Sequence, residues 1–149
     1  MPKQATIHTD FGTMTARFFP EVAPKHVDNF LSLAEEGFYD DLTFHRIIKG
    51  FMIQGGCPKG TGTGSGPRQL PAEFNEKPHE LGTLSMARAA DPNSASCQFF
   101  VCLGRQDFLD GQYTVFGELV DDASRETLTK IGDVPVRDPG TGEPSSPVN

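Results

Sequence analysis

The places where this chain could do chemistry are four histidines, three cysteines, an arginine set among apolar residues and a glycine-rich stretch. Gly60, Gly62, Gly64 and Gly66 alternate as in a phosphate-cradling loop. No Gly-Lys-Ser/Thr ending follows, and neither dinucleotide-binding spacing fits ahead of a helix, which leaves a long surface loop. His8, His26, His45 and His79 include no His-x-x-x-His pair, so no metal site is expected. Cys57 and His45 are the residue types of a nucleophile–base pair, but no local sequence supports one, and a buried or loop thiol is the simpler reading. There is no Gly-x-Ser-x-Gly elbow, because Thr63 stands two residues before Ser65.

What remains is a constellation without acid–base machinery. Arg46 lies in Phe44-His45-Arg46-Ile47-Ile48, amid strand-like apolar residues. An arginine there is costly unless paired or used; on this segment alone, an edge-strand arginine with its head in solvent is the simpler account. Gln54 and Gln98 supply further donors, and Gln98 shares a strand face with Phe100. With Phe51, Met52 and Phe100 these residues have the makings of an apolar pocket carrying a few placed polar groups, the general form of a small-ligand site.

The elements that must position them are short. Residues 5–19 alternate with period two about Asp10-Phe11-Gly12 and predict a half-buried hairpin. Residues 24–36 predict a helix, with Pro24 in its first turn, an apolar stripe of Val27, Phe30, Leu31 and Ala34, and Gly37 as its stop. Strand character recurs over 43–56, 82–88, 97–103 and 113–120, with a loop over 57–72. Asp122 is placed to cap a second helix over 123–131, ended by Gly132. From Asp133 the prolines and glycines predict an irregular tail over 133–149. No repeat or linker divides the 149 residues, so 1–149 reads as one domain. Short strands with turn signals and two helices point to an antiparallel barrel or sandwich with helices over its open ends.

Composition excludes several function classes. A net charge of −7 argues against a nucleic-acid footprint and against docking on anionic lipid. An odd cysteine count rules out a complete disulfide framework and favours a reducing setting. No apolar run approaches a membrane span, and Met1-Pro2-Lys3-Gln4-Ala5 lacks the apolar core of a signal peptide, so a soluble cytoplasmic protein is expected.

At these residues the sequence resembles the cyclophilin-type peptidyl-prolyl cis–trans isomerases, most of all the compact single-domain bacterial type. The matching stretches are Phe44-His45-Arg46-Ile47-Ile48, Gly50-Phe51-Met52-Ile53-Gln54-Gly55-Gly56, Gly60-Thr61-Gly62, Leu84-Ser85-Met86-Ala87, Ser96-Cys97-Gln98-Phe99-Phe100, Leu109-Asp110-Gly111 and Val115-Phe116-Gly117. The likeness runs in order from about residue 5 to 132. It implies a mainly β fold, a closed eight-stranded antiparallel barrel capped by two helices, with its substrate groove on the outer face. It implies that Arg46 is catalytic and that His45, Phe51, Met52, Gln54, Phe100 and Leu109 line the proline pocket and its rim. Ala87, Arg88, Ala89 and Gln98 would border the groove for the preceding residues, with Gly60 at its edge. Phe108 and Tyr113 complete the substrate-binding set. No cofactor is implied, and the partners would be proline-containing peptides and unfolded or partly folded proteins, met by a monomer.

Such a reaction breaks no bond, which accounts for the missing nucleophile and metal. The Xaa–Pro bond turns slowly because its C–N bond is partly double, with a barrier of about 18–20 kcal/mol. A donor aimed at the prolyl nitrogen favours the twisted state selectively, and a guanidinium is always charged. The chain departs from the family pattern at several positions. Phe108 stands where many eukaryotic members carry Trp, so the family's inhibitor cyclosporin is expected to bind weakly. Tyr113 stands where those members carry His, and Arg88 where they carry Asn, which adds a positive charge that would favour acidic residues near the proline. The family's last strand, which closes the barrel, would begin after Pro147-Val148, so the chain as written is expected to lack it. Two other readings of the same residues are a proline-peptide binding module without turnover and a thiol redox protein using Cys57 or Cys102.

Overall fold

A computed structural model gives the fold and describes residues 4–9, 12–35, 44, 46–48, 51–56, 73, 75, 77–87, 97–106, 109–111, 113–132, 136–138 and 143–144. The fold is mainly β. Strands β1 (Gln4–Thr9), β2 (Gly12–Phe18), β3 (Arg46–Ile48), β4 (Met52–Gly55), β5 (Thr83–Met86), β6 (Phe99–Cys102) and β7 (Val115–Leu119) form one antiparallel sheet in the order β1-β2-β7-β5-β6-β4-β3. Two helices, α1 (Pro24–Glu35) and α2 (Asp122–Gly132), complete the core. Two short strands, β8 (Val136–Asp138) and β9 (Glu143–Pro144), pair with each other inside the stretch expected to be an irregular tail.

The sheet is curled. Its two outermost strands contribute to a single core: Ile7 of β1 and Ile47 of β3 pack with Met14, Ala16, Phe18, Ile53, Leu84, Met86, Phe99 and Val101. Helix α2 touches β2 near one edge of the sheet and both β3 and β4 at the other. This is the wrapped antiparallel sheet with two helices that the period-two segments predicted. Among the described residues the sheet has seven strands, with β1 and β3 at its edges.

Alternation assigns the faces. On β6, Phe99 and Val101 enter the core while Phe100 and Cys102 pack in a second cluster on the opposite face. Ile53 and Met52 divide in the same way on β4. On β7 the alternation breaks: Leu84 pairs with Gly117 but Ser85 pairs with Val115, so Phe116 is the extra residue of a β-bulge. The bulge lets both Phe116 and Leu119 turn inward. Gly117 beside it has no room for a side chain, since a Cβ there would lie 2.7 Å from the Arg17 carbonyl oxygen and 3.0 Å from the Phe18 ring.

The helices differ from expectation in orientation. In α1 the buried residues are His26, Val27, Asn29, Phe30 and Leu33, while Ala34 is exposed. The inward face is turned from the predicted stripe, and Glu73 grips the helix start. Its carboxylate accepts from the backbone N–H groups of Lys25 (3.3 Å) and His26 (2.9 Å) and from the His26 ring at Nδ1 (2.6 Å). Helix α2 is capped by Asp121, not Asp122: the Asp121 carboxylate accepts from the Ser124 backbone N–H at 2.8 Å. Ser124 Oγ in turn accepts from the Thr15 N–H at 2.8 Å, which fastens α2 to β2.

Candidate functional site

The outer face of β4, β6 and β5 carries a second apolar cluster, Met52, Phe100, Cys102 and Leu109, with Ile48, Phe51, Ala87 and Tyr113 packed around it. Within it lies a pocket of about 130 Å³ lined by Phe51, Met52, Gln54, Ala87, Phe100, Leu109 and Tyr113. All seven residues were picked out in the sequence as candidates. The wall forms because the strand period puts Met52 and Gln54 on the same side of β4, and Phe100 directly opposite Gln54 on β6. Phe51 precedes β4 in a turn held by its N–H to the Ile48 carbonyl (2.9 Å) and by the Leu103 N–H to its own carbonyl (2.8 Å). The Phe100 ring meets Tyr113 edge-on, with centroids 5.6 Å apart and planes at 87°.

The polar rim is built from amides. Gln54 Nε2 donates to Gln98 Oε1 at 3.0 Å, and the Gln98 carbonyl accepts from the Ala87 N–H at 2.9 Å. Gln98 therefore stands beside the pocket, one step from Gln54. Arg46 occupies the ladder position opposite Gln54, so Arg46, Gln54, Phe100 and Ser85 form one row across β3, β4, β6 and β5. The side chain of Arg46 lies outside the described part of the structure, as do residues His45, Gly60, Arg88, Ala89 and Phe108.

Behind the pocket lies a polar network that the sequence did not reveal. The fully buried His79 sets its Nδ1 3.0 Å from Asp110 Oδ1 and its Nε2 2.9 Å from Ser85 Oγ. Arg105 donates to both Asp110 oxygens, at 3.1 and 2.6 Å. Those hydrogen bonds from Arg105, with those from His79, hold the Asp110 carboxyl well below the usual carboxylate range. Burial pushes the Cys102 thiol up to about 12, reinforced by the negative charge of Asp110, the reverse of what a reactive thiol needs. Cys97 is likewise buried and forms no disulfide, while Cys57 lies outside the described residues.

Both buried histidines have lowered pKa values, desolvation being the main cause, although Glu73 and Asp110 oppose it. Folding thus favours the neutral imidazoles. Their contribution to stability is complete above the unfolded pKa and is lost as the pH falls through that value toward the lower folded one. The Tm is expected to fall as the pH is lowered from about 7.5 to about 5, before any carboxylate with an ordinary pKa has been titrated. Thermal melts followed by circular dichroism across that range provide the check, and a Tm that is flat or rises toward the acid end contradicts it.

The site and fold have close counterparts among known proteins. Residues 4–149 match the family described as cyclophilin type peptidyl-prolyl cis-trans isomerase/CLD. A peptidyl-prolyl cis-trans isomerase of Synechococcus elongatus is 49% identical over 128 residues, covering 86% of this chain and 88% of the relative. Peptidyl-prolyl cis-trans isomerase B of Bacillus subtilis is 48% identical over 118 residues, covering 78% and 82%. Among solved structures, a Cryptosporidium parvum cyclophilin type peptidyl-prolyl cis-trans isomerase, crystallised in the presence of the dipeptide Ala-Pro, superposes with a TM-score of 0.91 at 35% identity, covering 98% of this chain and 94% of that one.

Proposed function

The chain belongs to the cyclophilin-type peptidyl-prolyl cis–trans isomerases, and from that premise we propose that the outer-face pocket receives the proline ring while Arg46 assists rotation about the preceding bond. The observation that carries this reading is the pocket itself. Phe51, Met52, Phe100 and Leu109 offer apolar walls to a ring, and the linked amides of Gln54 and Gln98 stand beside them to meet the peptide backbone. Rotation requires the prolyl nitrogen to recover its lone pair, so a directed, permanently charged donor favours the twisted state over either planar one. Arg46 is the residue assigned to this task, because its ladder position lies in the same row as Gln54 and Phe100. Gln54 serves as support for the substrate backbone or for Arg46.

In the cell this activity serves chains whose folding waits on proline isomerisation, a step of about 10–100 s at 25 °C. A reducing cytoplasmic setting suits two buried cysteines that form no disulfide, and the enzyme acts as a monomer. With Phe108 in place of an indole donor, cyclosporin is a weak ligand.

The reading is tested with a protease-coupled isomerisation assay on an Xaa-Pro peptide, comparing wild type with Phe100→Ala. Wild type is expected to accelerate the reaction. The variant is expected to raise KM at least tenfold, since removing a buried aromatic wall costs more than about 1.4 kcal/mol of ring contact. An unchanged KM would show that the proline binds elsewhere.

A further inference from the structure

His79 touches every part of the frame behind the pocket but does not line the pocket. Its backbone N–H and its ring Nδ1 both address Asp110 Oδ1, at 2.9 and 3.0 Å. Its carbonyl accepts from the Gln106 N–H at 2.8 Å and from Arg105 at 3.2 Å. The Leu109 N–H donates to the Gln106 carbonyl at 3.1 Å, so the segment that carries Leu109 is fastened to His79 at several points. On its other side the imidazole lies nearly parallel to the Phe100 ring, at 14° with centroids 6.0 Å apart.

The hydrogen-bond roles follow from the partners. An ionised Asp110 can only accept, so Nδ1 carries the proton, and Nε2 shares the single Ser85 hydroxyl proton with a second acceptor. That hydroxyl also lies 3.1 Å from the Thr114 carbonyl, next to Tyr113. The ring is thus fixed at both nitrogens and cannot turn without breaking a buried bond. Of the pocket's apolar residues, Phe100 stacks on this ring, and Leu109 and Tyr113 lie beside residues bonded to the network.

We propose that His79 is a positioning residue for proline recognition, a rigid plate locked by Asp110 and Ser85 that holds the Phe100 ring in line with Leu109. This rests on the reading that the proline ring occupies this pocket. Chemistry at the rotating bond does not involve His79, so its loss acts on binding more than on turnover.

The test compares His79→Phe, Asp110→Ala and Asp110→Asn in the full chain, with kcat and KM measured separately on an Xaa-Pro peptide. The ¹³C-methyl resonance of Met52, which packs against Phe100, reports the pocket without substrate. His79→Phe keeps a flat ring but removes both ring hydrogen bonds. It and Asp110→Ala are expected to raise KM about fivefold to tenfold with kcat within about twofold, and to shift the Met52 methyl. Asp110→Asn keeps an acceptor for His79 and is expected to return KM to within about twofold of wild type. A purely structural role would lower Tm and the active fraction while leaving KM and the methyl shift of the folded protein unchanged, and that result overturns the proposal. If His79→Phe does not fold, the two Asp110 variants decide in the same terms. Unchanged KM in these variants while Phe100→Ala raises it defeats only the role of His79. Unchanged KM in Phe100→Ala as well defeats the pocket reading beneath it.

Discussion

Replacing Arg46 with alanine is expected to lower kcat/KM on an Xaa-Pro peptide by about 10²–10³-fold, the usual effect of removing a charged or directed donor from a transition state. The loss should fall mainly on kcat. The planar ground state offers the prolyl nitrogen no lone pair to receive a hydrogen bond, so the donor's contribution arises only as the bond twists. Alanine keeps the ladder position opposite Gln54 in β3, so Tm should stay within about 3 °C, a loss of no more than about 1 kcal/mol. Arg46→Lys is the sharper control. It preserves charge but not the planar fork of N–H groups, and it should recover no more than about a tenth of the lost rate if direction matters more than charge. The protease-coupled assay reads both. Equal rates for Arg46→Ala and wild type would remove Arg46 from the mechanism, and peptide binding by wild type without acceleration would make the protein a proline-peptide binding module.

The largest stability loss is expected at Phe30→Ala. Phe30 is nearly fully buried and sits at the centre of the aromatic core, with ring centroids 5.4 Å from Phe18, 5.3 Å from Phe116 and 5.3 Å from Phe99. Those partners come from β2, β7 and β6, so one side chain of α1 ties together three strands. Truncation should cost about 3–5 kcal/mol, a large share of the roughly 5–15 kcal/mol that such domains possess. In a thermal melt this is a fall of about 10–15 °C. The pocket lies on the other face of the sheet, so the molecules that remain folded should keep KM within about twofold of wild type. Urea unfolding and the isomerase assay on the same preparation test both halves. A loss below about 1 kcal/mol would mean that neighbouring rings refill the space.

Much of this arrangement was legible from residue order. Met14, Ala16 and Phe18 declared an inward face by period two, and they are all buried. Gln98 and Phe100 announced a shared face by the same rule, and Phe100 lines the pocket with Phe51, Met52 and Gln54, which were grouped with it by residue type. The orientation of α1 was not legible, because its buried face includes His26 and Asn29, whose polarity argued for solvent. Among the described residues it is the distant Glu73 that partners the buried His26 ring, at Nδ1. The His79 network escaped for a related reason. Residues 79, 85, 105 and 110 follow no common spacing, and what unites them is hydrogen bonding across strands and a turn. The bulge at Phe116 also has no local signature, since it appears only as a mismatch between partners on two strands.

The order of the strands bears on how the molecule comes into being. Strand β2 reaches the rest of the sheet through β7, where Ala16 pairs with Leu119. The first hairpin can form as soon as it is made, and Phe18 can meet Phe30 of α1, but β2 has no further strand to pair with until β7 has been delivered. Until then Phe18 and Phe30 lack their ring partner Phe116, and a nascent chain must carry those apolar faces uncovered. Joining segments about a hundred residues apart also makes for slow folding at high contact order. A sheet that waits on β7 thus leaves its aromatic faces uncovered through most of the chain's synthesis.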